Sequence, residues 1–335
     1  MNVTRRHFLY STLAATIAAR LSPTAFAQNK QTIALLFDGL YSTFWVAGID
    51  ILKTELAKRG FGTVEAISDQ DDNKQLEQVK SMIARKVDGI IIVQTDSSAV
   101  IPAIKAANAA GIPMVHFNRP PAQNDGYSVA IQADNKSIAR DAVLKGCEVA
   151  RKQGGKYKAC IMIGDLGDPN AVQRRDGFQE AVDQHKDLIE VVAQVPTNWN
   201  ADQAFAGLTN ALQANPDINF LFTSSDFLIP QEMQCLQTAD KWHPVGDPKH
   251  VIFIGFDGFP QAYELLNQKY MDANGVQNLF FETDLAINAL ADMKAGKKPD
   301  KLLLDPGFAI GQDNLEQKKG EMWGYLLWKK DHPNG

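Results

Sequence analysis

The chain has 335 residues, 45% of them hydrophobic and 22% charged, with a formal net charge of −5. That is the composition of a soluble globular protein with room for about two domains. Its acidity, without a basic stripe, argues against nucleic acid or anionic membrane surfaces as partners. Three cysteines, Cys147, Cys160 and Cys235, permit at most one internal bridge and show no metal-ligand spacing, so they are expected as buried free thiols.

Residues 1–27 have the order of an export signal rather than of a fold. Arg5-Arg6-His7-Phe8-Leu9 is a twin-arginine pattern, a mildly apolar stretch covers 11–19, and Ala25-Phe26-Ala27 is a small-x-small cleavage site. The apolar run is too short to anchor in a bilayer, and no cysteine follows the cleavage site to carry a lipid. The mature chain is therefore expected to begin near Gln28, free in the periplasm of a Gram-negative-type envelope. Removal of three arginines and no acid makes it more acidic still.

Beyond Gln28, short apolar runs alternate with amphipathic helices, the mark of βαβ units and parallel sheets. Strands are predicted at 33–37, 63–67, 89–93, 113–117 and 127–132. Helices are predicted from Ser42 or Thr43 onward, then over 73–85, over 99–110, and from a cap at Ala133-Asp134-Asn135 to about Gln153. At Lys156 the alternation restarts, with strands at 159–164, 190–195, 219–223 and 251–256 and helices at 171–184, 201–214, 227–239 and 260–268. A short strand at 273–277, a helix over 279–294 and strands at 301–304 and 307–310 follow. The last twenty-odd residues, with Trp323, Tyr325 and Trp328, are expected to pack back on the body. The two halves share grammar and length without a repeat. The chain passes between them at Ala133 and near Gln277 through ordered crossovers rather than a tether.

Chemistry motifs are mostly absent. No glycine-rich phosphate loop follows a strand, no G-x-S-x-G elbow occurs, and the histidines are scattered. The oxygen-rich Asp165-Leu166-Gly167-Asp168-Pro169-Asn170 lacks the length and terminal Glu of a calcium loop and is read as a turn and helix cap. No catalysis, metal or cofactor is expected. What remains is a set of polar and aromatic residues where strands end. Asp38, Ser42, Phe44 and Trp45 follow the first strand, and Asn118 and Arg119 the fourth. The second half adds Arg174, Trp199, Ser225, Asp226, Asp257 and Gln277. In open α/β sheets ligands bind outside the carboxyl ends of strands. Planar charged and amide groups pair with hydroxyls there, and aromatic faces cover the C–H patches of a sugar ring.

Five motifs together resemble the ribose-type periplasmic sugar-binding proteins of ABC importers over about residues 31–312. They are Ser42-Thr43-Phe44-Trp45, Phe117-Asn118-Arg119, Arg174-Arg175-Asp176-Gly177-Phe178, Ile254-Gly255-Phe256-Asp257-Gly258 and Val276-Gln277. The resemblance implies a type I periplasmic binding protein fold: two Rossmann-like three-layer α/β/α lobes joined by a multi-strand hinge. One lobe would hold 28–133 with 278–304, the other 134–277 with 305–335. It implies a cleft in which Phe44 and Trp45 form one jaw and Trp199 the other. Arg119, Arg174, Asp257 and Gln277 lie between them, while Asp38 either touches ligand or caps its turn. Asn118 stands where the family carries Asp and Ser225 where it carries Asn, followed by Asp226 as in the family. The implied function is capture of a sugar or polyol by a monomer that delivers it to a membrane permease. The alternatives are a receptor for chemotaxis, a sensor kinase or a quorum signal, and, more remotely, an exported hydrolase using Asp257 or Asp38.

Overall fold

The computed structural model describes residues 30–123 and 125–333, and the export signal read at 1–27 lies outside them. The first strand, β1 (Thr32–Phe37), is apolar and buried at every residue but the first. That is the pattern of a parallel strand covered on both faces. It is followed by α1 (Thr43–Lys58), β2 (Gly62–Ile67), α2 (Asp72–Ala84), β3 (Gly89–Ile92), α3 (Ile101–Ala109), β4 (Met114–His116) and β5 (Val129–Ala133). The second run comprises α4 (Asn135–Gln153), β6 (Tyr157–Ile163), α5 (Pro169–Asp183), β7 (Ile189–Pro196), α6 (Ala201–Ala214) and β8 (Phe220–Thr223). It continues with α7 (Ile229–Thr238), β9 (Ile252–Asp257), α8 (Pro260–Asn267) and β10 (Ala273–Val276). The chain closes with α9 (Leu279–Lys294), β11 (Leu302–Asp305), β12 (Phe308–Gly311), α10 (Leu315–Lys318) and α11 (Trp323–Asp331).

These strands form two six-stranded sheets, ordered β11-β5-β4-β3-β1-β2 and β12-β10-β9-β8-β6-β7. Every pairing is parallel except β12 on β10. The two lobes of the type I fold are thus present. In each sheet the strand order reverses direction beside its first strand, at β1/β3 and at β6/β8, which opens a crevice at the carboxyl ends.

The chain passes between the sheets from β5 to α4, from β10 to α9, and from β11 to β12. The last passage turns at Gly307, whose φ is +49° and where an added Cβ would lie 2.3 Å from Ile138 Cδ1 and 2.5 Å from the Val276 carbonyl oxygen. Only glycine fits that corner.

Helix starts follow local chemistry. The side chains of Asp71, Asp134, Asp168, Asn200 and Asn278 accept backbone N–H bonds at the starts of α2, α4, α5, α6 and α9. Ser42 holds the N-cap position of α1 without such a bond. The sequence pattern predicts one helix over 227–239, but a 3₁₀ turn, Asp226–Leu228, comes first and α7 starts where Pro230 sets φ. The C-terminal segment packs back on the body, with Trp323 fully buried. Its ring meets Phe44 edge-on at 5.9 Å and Phe259 at 5.3 Å. All three cysteines are free and buried, and burial pushes the Cys147 and Cys160 thiols up to about 12.

Candidate ligand-binding site

A cleft with about 490 Å³ of empty space, part of it open to solvent, lies between the carboxyl ends of the two sheets. It is lined by Tyr41, Ser42, Phe44 and Trp45 after β1 and by Asn118 and Arg119 after β4. From the other side come Asp168, Asn170 and Arg174, then Trp199, Ser225, Phe227, Asp257, Phe259 and Gln277. Ser42, at the N-cap position of α1 without a side-chain cap bond, lines this space.

Each side of the cleft stacks a guanidinium on an indole and ties it to a carboxylate. On the first, Arg119 lies 4.9 Å over Trp45. Its Nη1 donates to Asp38 Oδ2 at 2.7 Å and its Nη2 to the Tyr41 hydroxyl at 3.0 Å. Burial raises the Asp38 pKa, and the Arg119 charge opposes that rise. On the second side, Arg174 lies 4.0 Å over Phe256 and 5.8 Å over Trp199. Its Nη1 reaches Asp257 Oδ1 at 3.0 Å and the Ser224 carbonyl at 2.7 Å, and its Nε donates to Asn135 Oδ1 at 2.8 Å. Asp257 also accepts from Gln277 Nε2 at 2.6 Å and from the Ser225 hydroxyl. Burial raises its pKa, with Arg174 pulling the other way.

Three cleft-lining residues sit at positive φ, Asn118 at +68° among them. Asp257 has a φ of +115°, and Trp199, beside Asn198, one of +53°. Such conformations persist where surrounding contacts over-determine them. Trp323 Nε1 donates to the Asp257 carbonyl at 2.8 Å, so the C-terminal segment fastens the strained turn from behind. Trp199 lies flat on Gly164 at the end of β6, where an added Cβ would sit 2.1 Å from the ring. Its Nε1 points to Asp168 Oδ2 at 3.3 Å.

Ten of the twelve residues expected from the sequence line the cleft, and two do not. Asp38 stands behind Arg119 and opens toward the outer mouth of the cleft, so it holds the guanidinium in place. Asp226 is a correction. It is fully buried, and its carboxylate accepts from the backbone N–H groups of Phe256, Gly258 and Phe259 and from Asn274 Nδ2. The three backbone donors flank Asp257 and fix the turn that presents it, while burial and the neighbouring Asp257 charge push the Asp226 carboxyl up to about 8.

Five lining residues, Tyr41, Asp168, Asn170, Phe227 and Phe259, are not among those expected. Asp168 is the α5 cap that the sequence suggests, but one carboxylate can cap with one oxygen and face a cleft with the other. Phe227 and Phe259 each lie within two residues of an expected contact, and that proximity is the signal that could have found them.

A periplasmic binding protein domain matches residues 33–298. The chain belongs to the periplasmic binding protein family. The ribose import binding protein of Escherichia coli (strain K12) is 31% identical over 271 residues, covering 80% of this chain and 86% of that protein. The D-apiose import binding protein of Paraburkholderia graminis is 26% identical, covering 88% and 91%. Among solved structures, an ABC transporter periplasmic solute-binding protein from Actinobacillus succinogenes 130z with bound D-allose superposes with a TM-score of 0.78 at 24% identity, covering 86% of this chain and 99% of that one. The ribose-type resemblance carried by the five motifs is confirmed, and with it a family of binding proteins rather than of enzymes. Within this periplasmic binding protein, Asn118 makes bonds that a carboxylate at that position could not. Its Nδ2 donates to Gln277 Oε1 at 2.8 Å and to Glu282 Oε2 at 3.4 Å.

Proposed function

We propose that this protein captures a sugar or sugar-like polyol between its lobes and delivers it to the membrane permease of an ABC importer. The observation that carries this reading is the cleft itself: two guanidinium–indole stacks, each tied to a carboxylate, face each other across about 490 Å³. Aromatic faces match the C–H side of a small ring, and Arg119, Arg174, Asp168 and Asp257 match its hydroxyl edge. The ribose and D-apiose import proteins among its relatives support the same ligand class and the same partner. Among the described residues, sheet membership supports a division of 28–133 with 278–304 from 134–277 with 305–335, except that Asp305 ends β11 of the first sheet. The twin-arginine pattern supports export to the periplasm, where the mature chain acts as a monomer. No described helix is long and apolar enough to cross a membrane.

A thermal-shift screen followed by calorimetry, with D-ribose, D-apiose, D-allose, myo-inositol, glycerol and a control panel of amino acids, tests the proposal. Saturable binding of a sugar or polyol supports it. Stabilisation by control solutes alone overturns it.

A further inference from the structure

Outside the cleft and continuous with it lies a vestibule with about 1490 Å³ of empty space, part of it open to solvent. Tyr41, Arg119, Asp168, Trp199 and Phe227 line both spaces and form the neck between them. Beyond the neck the wall is built from the loops after β2, β3, β6 and β7.

Four carboxylates stand on this wall, Asp38, Asp96, Asp165 and Asp168, against one guanidinium, that of Arg119. Three of them use one oxygen to hold their own loop. Asp96 Oδ1 accepts from the Ser98 and Ala99 N–H groups at 2.7 Å, Asp165 Oδ1 from Gly167 N–H at 2.8 Å, and Asp168 Oδ1 from Asn170 N–H at 2.9 Å. Asp168 Oδ2 takes the Trp199 indole N–H at the neck. The Oδ2 atoms of Asp96 and Asp165 have no hydrogen-bond partner among the described residues. Asp38 is the decisive member. It lines the vestibule and not the inner cleft, and it is only 2% exposed. Its Oδ2 is taken by Arg119 and Tyr41, while its Oδ1 is buried with no partner among the described residues. A buried acceptor without a donor is costly, so this wall is incomplete as it stands.

We propose that the vestibule is a second subsite and that the ligand is a glycoside, with one ring in the inner cleft and a second, hydroxyl-bearing ring beyond the neck. This rests on the reading that the inner cleft captures a sugar ring. The wall selects the chemistry of the second unit. Carboxylate oxygens accept from hydroxyls, and Gln70 and Ser97 both donate and accept. Phe227 and Trp199 offer ring faces to C–H patches. Four acids against one base repel an anion, which disfavours sugar phosphates and sugar acids.

Calorimetry with the monosaccharides of the ligand screen, and with maltose, cellobiose, trehalose, lactose and melibiose, tests the subsite. At least one disaccharide is expected to bind about tenfold more tightly than any monosaccharide, the worth of one or two hydrogen bonds. Ser97→Trp fills the vestibule from outside the inner cleft. It is expected to remove that gain and to leave monosaccharide affinity unchanged. Asp96→Asn combined with Asp165→Asn keeps the oxygens that hold the loops and turns the free ones into amides. That pair is expected to reduce the gain by about threefold. If thermal melts show Ser97→Trp unfolded, the paired variant decides. Monosaccharide binding without a disaccharide gain overturns the subsite and leaves capture in the inner cleft standing. A gain that survives in the folded variants overturns it too. Binding of no sugar at all overturns the capture reading and the subsite with it.

Discussion

The two sides of the cleft use the same three residue types and differ in how tightly they are bound into the protein. Arg174 is nearly inaccessible, with 5% of its side chain exposed, and is held by Asp257, Ser224 and Asn135. Arg119, on the first side, keeps 19% of its side chain exposed, and Asp38 and Tyr41 hold only the outer nitrogens of its fork. One oxygen of Asp38 has no hydrogen-bond partner among the described residues. The second side is thus a finished network that a ligand completes at one edge. The first retains donors and an acceptor to adapt to the ligand. Rigidity is concentrated where the strained Asp257 turn meets the hinge, and adaptability lies toward the mouth.

Truncation on the rigid side should have the largest effect. Arg174→Ala or Asp257→Ala is expected to weaken ligand binding by about 2–5 kcal/mol in calorimetry, because a buried charge loses its partner. Each should also lower the melting temperature, since breaking a buried pair costs about 3–5 kcal/mol of stability. Full affinity in either variant would remove that residue from the site.

The two indoles should separate by observable. Trp45 is buried against Phe37 and Phe44. Trp45→Ala should therefore cost about 3–5 kcal/mol in denaturant unfolding. Trp199 is only partly buried on its glycine platform. Trp199→Ala should act mainly on binding, losing about 0.5–1.5 kcal/mol of ring contact beyond the buried area. Equal stability losses would break the contrast between the two sides.

Arg119→Ala should cost less than Arg174→Ala, about 1.5–3 kcal/mol of binding, the range for hydrogen bonds to charged groups. It should also cost stability, because Asp38, with 3% of its side chain exposed, would be left as a buried carboxylate without its partner.

The smallest effect concerns two histidines, His116, buried on β4, and His250, partly buried in the segment before β9. His116, between Gln94 and Ser128, is pushed down from 6.5 to about 3 by burial. Its folded form binds fewer protons than the unfolded chain, so stability should fall as pH drops below about 6.5. For His250, burial pulls downward, but the hydrogen bond and charge of Asp272 outweigh it, and its pKa is raised above 6.5. That contribution is complete below 6.5 and is lost as pH rises through the folded value. In melting curves against pH, His116→Gln should flatten the acid limb and His250→Gln the neutral-to-alkaline one. Unchanged limbs would show that neither histidine titrates on unfolding.

Most of the fold was legible because it is written in local periodicity. Gly89-Ile90-Ile91-Ile92 can only be a strand buried on both faces, and Asp134 followed by an amphipathic run can only start a helix. Much of the site was legible for a related reason: parallel α/β topology delivers residues at strand ends to one crevice. Asp226 was misread because adjacency in sequence says nothing of direction. Ser225 turns to the cleft while the next side chain turns inward to four N–H donors. Asn170 was missed because its partners, Asn118 and Gln132, lie on another sheet.

The sequence by itself determined the two-lobed α/β grammar, the export signal as an expectation and the family, because each rests on patterns within a few tens of residues. Only the tertiary structure decided which carboxylate faces the cleft and which builds its wall. It alone joined Asn118 to Asn170, and it seated Trp323 beneath the strained Asp257 turn. Hydrogen bonds between residues 52 or 66 positions apart are set by how two sheets meet, and no local pattern carries that information.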